Sequence, residues 1–115
     1  MSNTITRNEI LQRIKNNLPM TIIEALPPQY FEDGHLPGAI NLPHDQVQSR
    51  AEAMLPDKDA FIVVYCANTP CSNSGYAVNV LIQMGYHHVY EYVEGKQDWL
   101  EAGLILEKGE ARKAG

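Results

Sequence analysis

A chain of 115 residues fits one domain and is long enough to bury a self-sufficient core. Hydrophobic residues make up 44% and charged residues 20%, the balance of a globular protein rather than of a disordered or membrane-embedded one. Fourteen acidic residues against nine Lys plus Arg leave a net charge of −5 without a basic block, so no nucleic-acid or anionic-membrane partner is expected.

The opening MSNTITRNEI lacks the apolar stretch of a secretory signal, which makes the cytoplasm the expected location. Thr6 with Glu9 three residues later reads as a capping box. Ile10, Leu11, Ile14 and Leu18 then follow at helical spacing until Pro19 closes the segment. MTIIEAL is short and β-branched and predicts a buried strand. PPQYFEDGHLPG is rich in Pro and Gly and predicts a loop with room for one helical turn. AINL is a second short strand, stopped by Pro43, and residues 44–54 predict a helix with Val47, Ala51, Met54 and Leu55 on its inner side. AFIVVYC is continuous, β-branched and aromatic, as a parallel strand covered on both faces should be, and far too short to cross a bilayer. Ser72 to Met84 predicts a helix with Ala77, Val78, Leu81 and Ile82 facing inward and Gly85 at its end. HVYEYV is another strand, GKQDWLEAG a short helix ended by Gly103, and residues 107–115 a polar, frayed tail.

Strand and helix alternate along most of the chain, which predicts one α/β domain over residues 1–115 with a mainly parallel sheet and helices on both faces. Ligands of such sheets bind outside the carboxyl ends of the strands. The segment from Cys66 to Cys71 leaves the carboxyl end of the clearest strand and runs straight into a helix.

These two cysteines are the only ones in the chain and do not make a disulfide scaffold at this length, so their chemistry is local. The pair is open to four readings: a metal clip, a disulfide, a nucleophile with a helper, or plain core. A thiol becomes a good nucleophile as its thiolate, and backbone amides at a helix N-terminus favour an anion placed before them. Ala67, Asn68 and Thr69 are small enough to let the loop curl its amides around the Cys66 sulfur, and Ser72, Asn73 and Ser74 are competent caps for the helix that follows. Such a cradle suits a thiolate, a persulfide or a small oxyanion. It predicts that Cys66 ionises below the ordinary thiol value of ~8.5.

The chain resembles a single-domain rhodanese, the sulfurtransferase homology domain. YFEDGHLPGAINLP is similar to that family's first signature, IVVYC with the six residues from Cys66 to Cys71 resembles its active-site strand and loop, and GYHHVYEYVEGKQDWLEAGL resembles its closing segment. The resemblance covers about residues 21–106, in the right order and spacing. It implies a three-layer α/β domain around a five-stranded, mainly parallel sheet. It implies Cys66 as the sulfur-accepting nucleophile, and Ala67, Asn68, Thr69, Pro70, Cys71 and Ser72 as the substrate-binding loop. Sulfane sulfur would pass from a small donor (thiosulfate, polysulfide or persulfide) through a Cys66 persulfide to a thiol acceptor, small or carried on a protein, with no metal or organic cofactor. Phosphatase relatives carry a loop one residue longer, so six residues favour sulfur over phosphate.

Three departures accompany the match. CANTPC holds no cationic residue, the family's Asp-x-Arg reads Glu24, Ala25, Leu26, and the first Gly of its Gly-Gly pair is Glu94, followed by Gly95 and Lys96. These bear on thiosulfate:cyanide activity more than on persulfide chemistry, and Lys96 is a candidate source of positive charge near the loop. Cys71 matches a subset of rhodanese-like domains with a second Cys at the loop's end. It is open to two roles, a resolving thiol that attacks a Cys66 persulfide or sulfenate, or a weak S–H donor that only packs.

A zinc site from both cysteines with His87 or His88 is disfavoured by the C-x-x-x-x-C spacing and the lack of a second pair. His35 reads as structural, His87 and His88 as the start of a strand, and Trp99 as the anchor of the last helix. Two rival functions remain at this point. One is a thiol redox or phosphatase/arsenate-reductase type of enzyme cycling a Cys66–Cys71 disulfide, and the other a non-enzymatic sulfur carrier or protein-binding module.

Overall fold

The structure, a computed structural model, describes residues 3–109. Helix α1 (Arg7–Lys15) starts at the predicted capping box, with the Glu9 N–H donating to Thr6 Oγ1 at 3.2 Å and the Thr6 N–H to Glu9 Oε1 at 3.0 Å. It ends before Pro19, because Asn17 turns into the left-handed region at φ 53°. Strand β1 (Thr21–Glu24) leads to α2 (Pro28–Asp33), a complete short helix inside the segment expected to be mostly loop. Pro28 explains its start, since a proline at the first helical position loses no intrahelical bond. There follow β2 (Ile40–Asn41), a 3-10 turn at His44–Gln46, α3 (Val47–Met54), β3 (Phe61–Tyr65), α4 (Asn73–Gln83), β4 (His88–Tyr92) and α5 (Gly95–Glu101).

The sheet is parallel throughout, in the order β2-β1-β3-β4. Among the described residues the sheet has four strands, one fewer than the five expected, and an isolated bridge stands beside β4. Thr4 pairs in parallel with Glu91 on the outer edge of β4, through the Ile5 N–H on the Glu91 carbonyl (3.0 Å) and the Glu91 N–H on the Asn3 carbonyl (2.9 Å). The capping box at Thr6 turns the chain into α1 immediately afterwards, which leaves no length for a strand.

The period of two along the strands splits the core into two layers. Ile23, Ile62, Val64 and Val89 face Val47 and Ala51 of α3 and Ala77, Val78 and Leu81 of α4. Ile22, Val63, Tyr65 and Tyr92 face Ile10 of α1, Phe31 of α2 and Trp99 of α5. Ile82, expected inward, is 41% exposed. The buried stripe of α4 runs through Ser74, Ala77, Val78 and Leu81, and the space beyond it is filled by Tyr86, whose hydroxyl donates to the Leu55 carbonyl at 2.6 Å.

Residue 107 does not fray. Glu107 and His35 exchange backbone hydrogen bonds of 2.8 Å each way, and the Gly109 N–H reaches the Glu32 carbonyl at 3.0 Å. The rest of the expected tail, 110–115, lies outside the described residues. Among the described residues no helix is long and apolar enough to cross a membrane.

Candidate active site

Cys66 follows the last residue of β3 at the carboxyl end of the sheet and is buried. Its carbonyl accepts the Lys96 N–H at 3.0 Å, and the Ala67 carbonyl accepts the Gln97 N–H at 2.8 Å. Both donors belong to the first turn of α5, whose amides have no partner within their own helix. A trans peptide points its C=O and N–H in opposite directions. Turning these two carbonyls toward α5 therefore sends the Ala67 and Asn68 N–H groups away from α5. Gly95 makes the close approach practicable: its φ is +64°, and a Cβ there would collide with the Cys66 carbonyl oxygen and lie 3.1 Å from the Ala67 carbonyl carbon.

At the far end of the loop the Cys71 N–H donates to the Asn68 carbonyl at 3.1 Å, closing a turn around exposed Thr69 and Pro70. This narrows the expected ring of amides. Pro70 has no N–H and Cys71 has spent its own, so the loop offers the amides of Ala67, Asn68 and Thr69. Ser72, exposed, is the N-cap residue of α4 but makes no side-chain cap bond, so the first-turn amides of α4 remain uncapped by it. The two sulfurs are joined as a Cys66–Cys71 disulfide, with Cα atoms 6.4 Å apart, within the usual span of such a bridge. Of the two, Cys71 is the more accessible.

Tyr65 and Cys66 are neighbours and point to opposite faces of the sheet. On the α2/α5 face the Tyr65 hydroxyl donates to Glu24 Oε1 at 2.8 Å and accepts the Leu36 N–H at 3.0 Å. Lys96 Nζ lies 3.0 Å from the same Glu24 oxygen and donates to the Tyr30 carbonyl at 3.0 Å. Glu24 is fully buried, and among the described residues its Oε2 has no partner. Burial pushes its carboxyl above the ordinary range, with Lys96 as the strongest opposing influence. Burial, and then the Glu24 charge, push the Tyr65 phenol up as well. The Lys96 charge is thus engaged with Glu24 on this face, and its connection to the loop is through its backbone N–H.

On the α4 face Cys66 Sγ lies 3.4 Å from Ser74 Oγ, and Ser74 Oγ donates to Glu91 Oε2 at 2.8 Å. Sequence reasoning offered Ser74 only as a cap and did not consider Glu91. The available signal was the acid itself: in the strand HVYEY, Glu91 shares a face with Val89, on the side that packs on α4.

The other singled-out residues fall away from the sulfurs. His35 is buried, stacked on Phe31 with ring centroids 3.8 Å apart, and its Nδ1 is 2.8 Å from the Phe31 carbonyl. His88 pairs with Phe61 at the amino end of β3, so His87 and His88 lie about five strand residues from Cys66, roughly 16 Å at the usual rise. That separation rules out their sharing a metal ion with the cysteines. Trp99 is buried in the α5 layer and donates to the Ile105 carbonyl at 3.1 Å. Beside the loop tip, Thr69, Pro70, Glu94, Gln97, Asp98 and Glu101 line an open cavity of about 280 Å³. Asp98 is neutralised by Arg7 at 2.8 Å, whereas Glu94 and Glu101 are exposed.

Known proteins resemble this chain over most of its length. It is 32% identical over 105 residues to the HTH-type transcriptional regulator Rv0324 of Mycobacterium tuberculosis, covering 91% of this chain and 45% of the relative. It is 37% identical over 67 residues to the thiosulfate sulfurtransferase PspE of Escherichia coli, covering 58% of this chain and 62% of the relative. The chain therefore spans less than two thirds of either relative. The crystal structure of the Alr3790 protein from Anabaena superposes with a TM-score of 0.83 at 28% identity, over 91% of this chain and 80% of that one. The rhodanese-like domain family matches residues 6–102. On these grounds the chain belongs to the rhodanese-like domain family.

Proposed function

We propose that this domain is a sulfurtransferase that carries sulfane sulfur on Cys66. The observation that carries the reading is the orientation of the loop. The Cys66 and Ala67 carbonyls are drawn to α5, which leaves the Ala67 and Asn68 amides free to face an anionic sulfur beside an uncapped helix start. In loading, the Cys66 thiolate attacks the outer sulfur of a hydropersulfide donor. The donor's S–S bond breaks, its thiolate leaves with the electron pair, and Cys66 becomes a persulfide. In unloading, an acceptor thiolate takes that outer sulfur and the Cys66 thiolate is restored.

Charge favours a singly charged or neutral donor over dianionic thiosulfate. The loop has no cation, the Lys96 charge is spent on Glu24, and Glu94 and Glu101 stand beside the loop tip. Cys71 adds a second exit. Its thiolate can attack Cys66 Sγ of the persulfide, forming the observed disulfide and releasing hydrosulfide, and an external thiol then reduces the bridge. The same bridge supports the rival reading, a thiol redox enzyme that never holds sulfur.

Intact mass spectrometry separates the two. Reduced protein treated with a polysulfide should gain one sulfur, the gain should outlast that of the parent in Cys71→Ser, and it should be absent in Cys66→Ser. Folded protein that forms the disulfide as the parent but gains no sulfur, either as the parent or as Cys71→Ser, would remove the sulfurtransferase reading and favour the redox one.

A further inference from the structure

The Cys66–Ser74–Glu91 chain is not explained by the amide cradle, and it opposes the cradle. A serine hydroxyl has one hydrogen and an ionised carboxylate has none, so the hydrogen of the 2.8 Å contact comes from Ser74 and is committed to Glu91. Toward the sulfur, 3.4 Å away, Ser74 presents only lone pairs. In the bridged state no hydrogen lies between sulfur and hydroxyl. Once the bridge is reduced, the Cys66 S–H finds an acceptor already in place, and S–H···O–H···carboxylate becomes a fully satisfied, mutually polarising chain. A thiolate at the same place would face those lone pairs. Alternatively Ser74 would turn its hydrogen to the sulfur, and Glu91 would lose its donor. In the bridged state Cys66 and Ser74 are both essentially inaccessible, at 1% and 0% exposure, so the Ser74 side of the sulfur is closed to water.

We propose that Glu91, acting through Ser74, is a positioning residue that holds reduced Cys66 as a neutral thiol and so sets the pH at which sulfur loading begins. The Glu91 carboxylate also lies against the first turn of α4, 3.6 Å from where a Cβ on Gly75 would stand. Its negative charge there offsets the pull of the α4 start on a thiolate. The clamp acts on the Sγ of Cys66. A loaded persulfide carries its ionising sulfur one atom further out, so loading is restrained and unloading is not. The expectation of a simply depressed thiol is replaced by a balance between loop amides and this clamp.

The other charges around α4 and β4 are accounted for. Glu24 and Lys96 pair on the opposite face of the sheet, His44 on the turn before α3 packs edge-on against Tyr76 of α4, Asp98 is paired with Arg7, and Glu94 is exposed beyond β4. All are unchanged by substitution at residue 91 and cancel in a comparison of variants.

The test is the pH dependence of alkylation of reduced protein by neutral iodoacetamide, in a Cys71→Ser background that leaves one thiol. Glu91→Gln removes the charge and frees the Ser74 hydrogen for the sulfur, so the midpoint should fall by about one unit, tenfold in rate below both midpoints. Ser74→Ala removes the acceptor of the S–H and should lower the midpoint too. On that background Glu91→Gln should shift it by less than half as much, because the hydroxyl link is gone. An unchanged or raised midpoint in either folded variant, or an equal Glu91→Gln shift with and without Ser74, overturns the proposal. The inference gives a reason for pH-limited loading and so rests on the sulfurtransferase reading, but alkylation needs no sulfur donor. Failure to gain sulfur would remove that reading while leaving the midpoint shift measurable, and the reverse holds as well.

Discussion

Lys96→Met probes the buried charge beneath the loop. Glu24 is fully buried with Lys96 Nζ 3.0 Å away, and the Lys96 side chain is itself only 15% exposed. Methionine retains most of the apolar stem and deletes the charge, leaving Glu24 with the Tyr65 hydroxyl alone. Breaking a buried pair from one side costs about 3–5 kcal/mol. With a urea slope of about 1–3 kcal/mol/M, that moves the unfolding midpoint by more than ~1 M. The loss must depend on pH in a defined sense. The Glu24 carboxyl is already raised by burial, and removing Lys96 raises it further. A raised carboxyl favours the folded state below its unfolded value of ~4.3 and loses that contribution as pH rises through the folded value. The variant should therefore lie nearest the parent at about pH 4 and fall away from it toward neutrality. Adding Glu24→Gln to Lys96→Met removes the unpaired charge and should recover most of the loss. A loss below about 1 kcal/mol, or one that is flat between pH 4 and 8, would refute the assignment of Lys96 to this pair.

Two further outcomes follow from the geometry. Gly95→Ala places a Cβ against the Cys66 carbonyl oxygen in a left-handed backbone position, and should cost about 2 kcal/mol or more in urea unfolding while slowing sulfur loading. A variant with full stability and full loading would show that the α5–loop contact is dispensable. Replacing both Glu94 and Glu101 with Gln should speed thiosulfate loading roughly two- to five-fold at low ionic strength and leave it unchanged near 1 M salt, where the screening length is about 3 Å. Alkylation of Cys66 by neutral iodoacetamide in the Cys71→Ser background serves as the control, and an equal acceleration there would argue against an electrostatic cause.

What the sequence made legible was local. The capping box at Thr6 and Glu9, the buried run Phe61–Tyr65 and the glycine after α4 each rest on contacts within a few residues. The position of Cys66 at a strand end followed from the same pattern. The partners that surround Cys66 did not, because they come from distant segments. Glu91 reaches Ser74 across 17 positions, and Tyr65 reaches Glu24 across 41. The direction of Lys96 was equally out of reach. Its place beside the family's glycine pair suggested charge for the loop, and only the packing of α5 against β1 and β3 shows that charge taken by Glu24. The full extent of α2, beyond the one turn expected, and the anchoring of Glu107 escaped for a related reason, since Pro and Gly content marks chain reversals but does not report the backbone pairing made around them.

The alternation of a strand gives the two buried networks a common logic. Tyr65 and Cys66 are consecutive, so a period of two sends the phenol into the α2/α5 layer and the thiol into the α4 layer. Lys96 joins these layers. Its side chain ends on Glu24 and its N–H holds the Cys66 carbonyl, so the same residue satisfies a buried carboxylate and orients the loop. Loss of the Lys96 charge should then be felt on the far face: if α5 shifts to relieve Glu24, the Cys66 and Ala67 carbonyls lose their donors and the loop amides lose their direction. In Lys96→Met, sulfur loading should fall at pH values where the protein remains folded, and Glu24→Gln should restore both stability and loading. Recovery of stability without recovery of loading would mean that the ammonium itself acts at the sulfur, and the separation of the two faces would have to be abandoned.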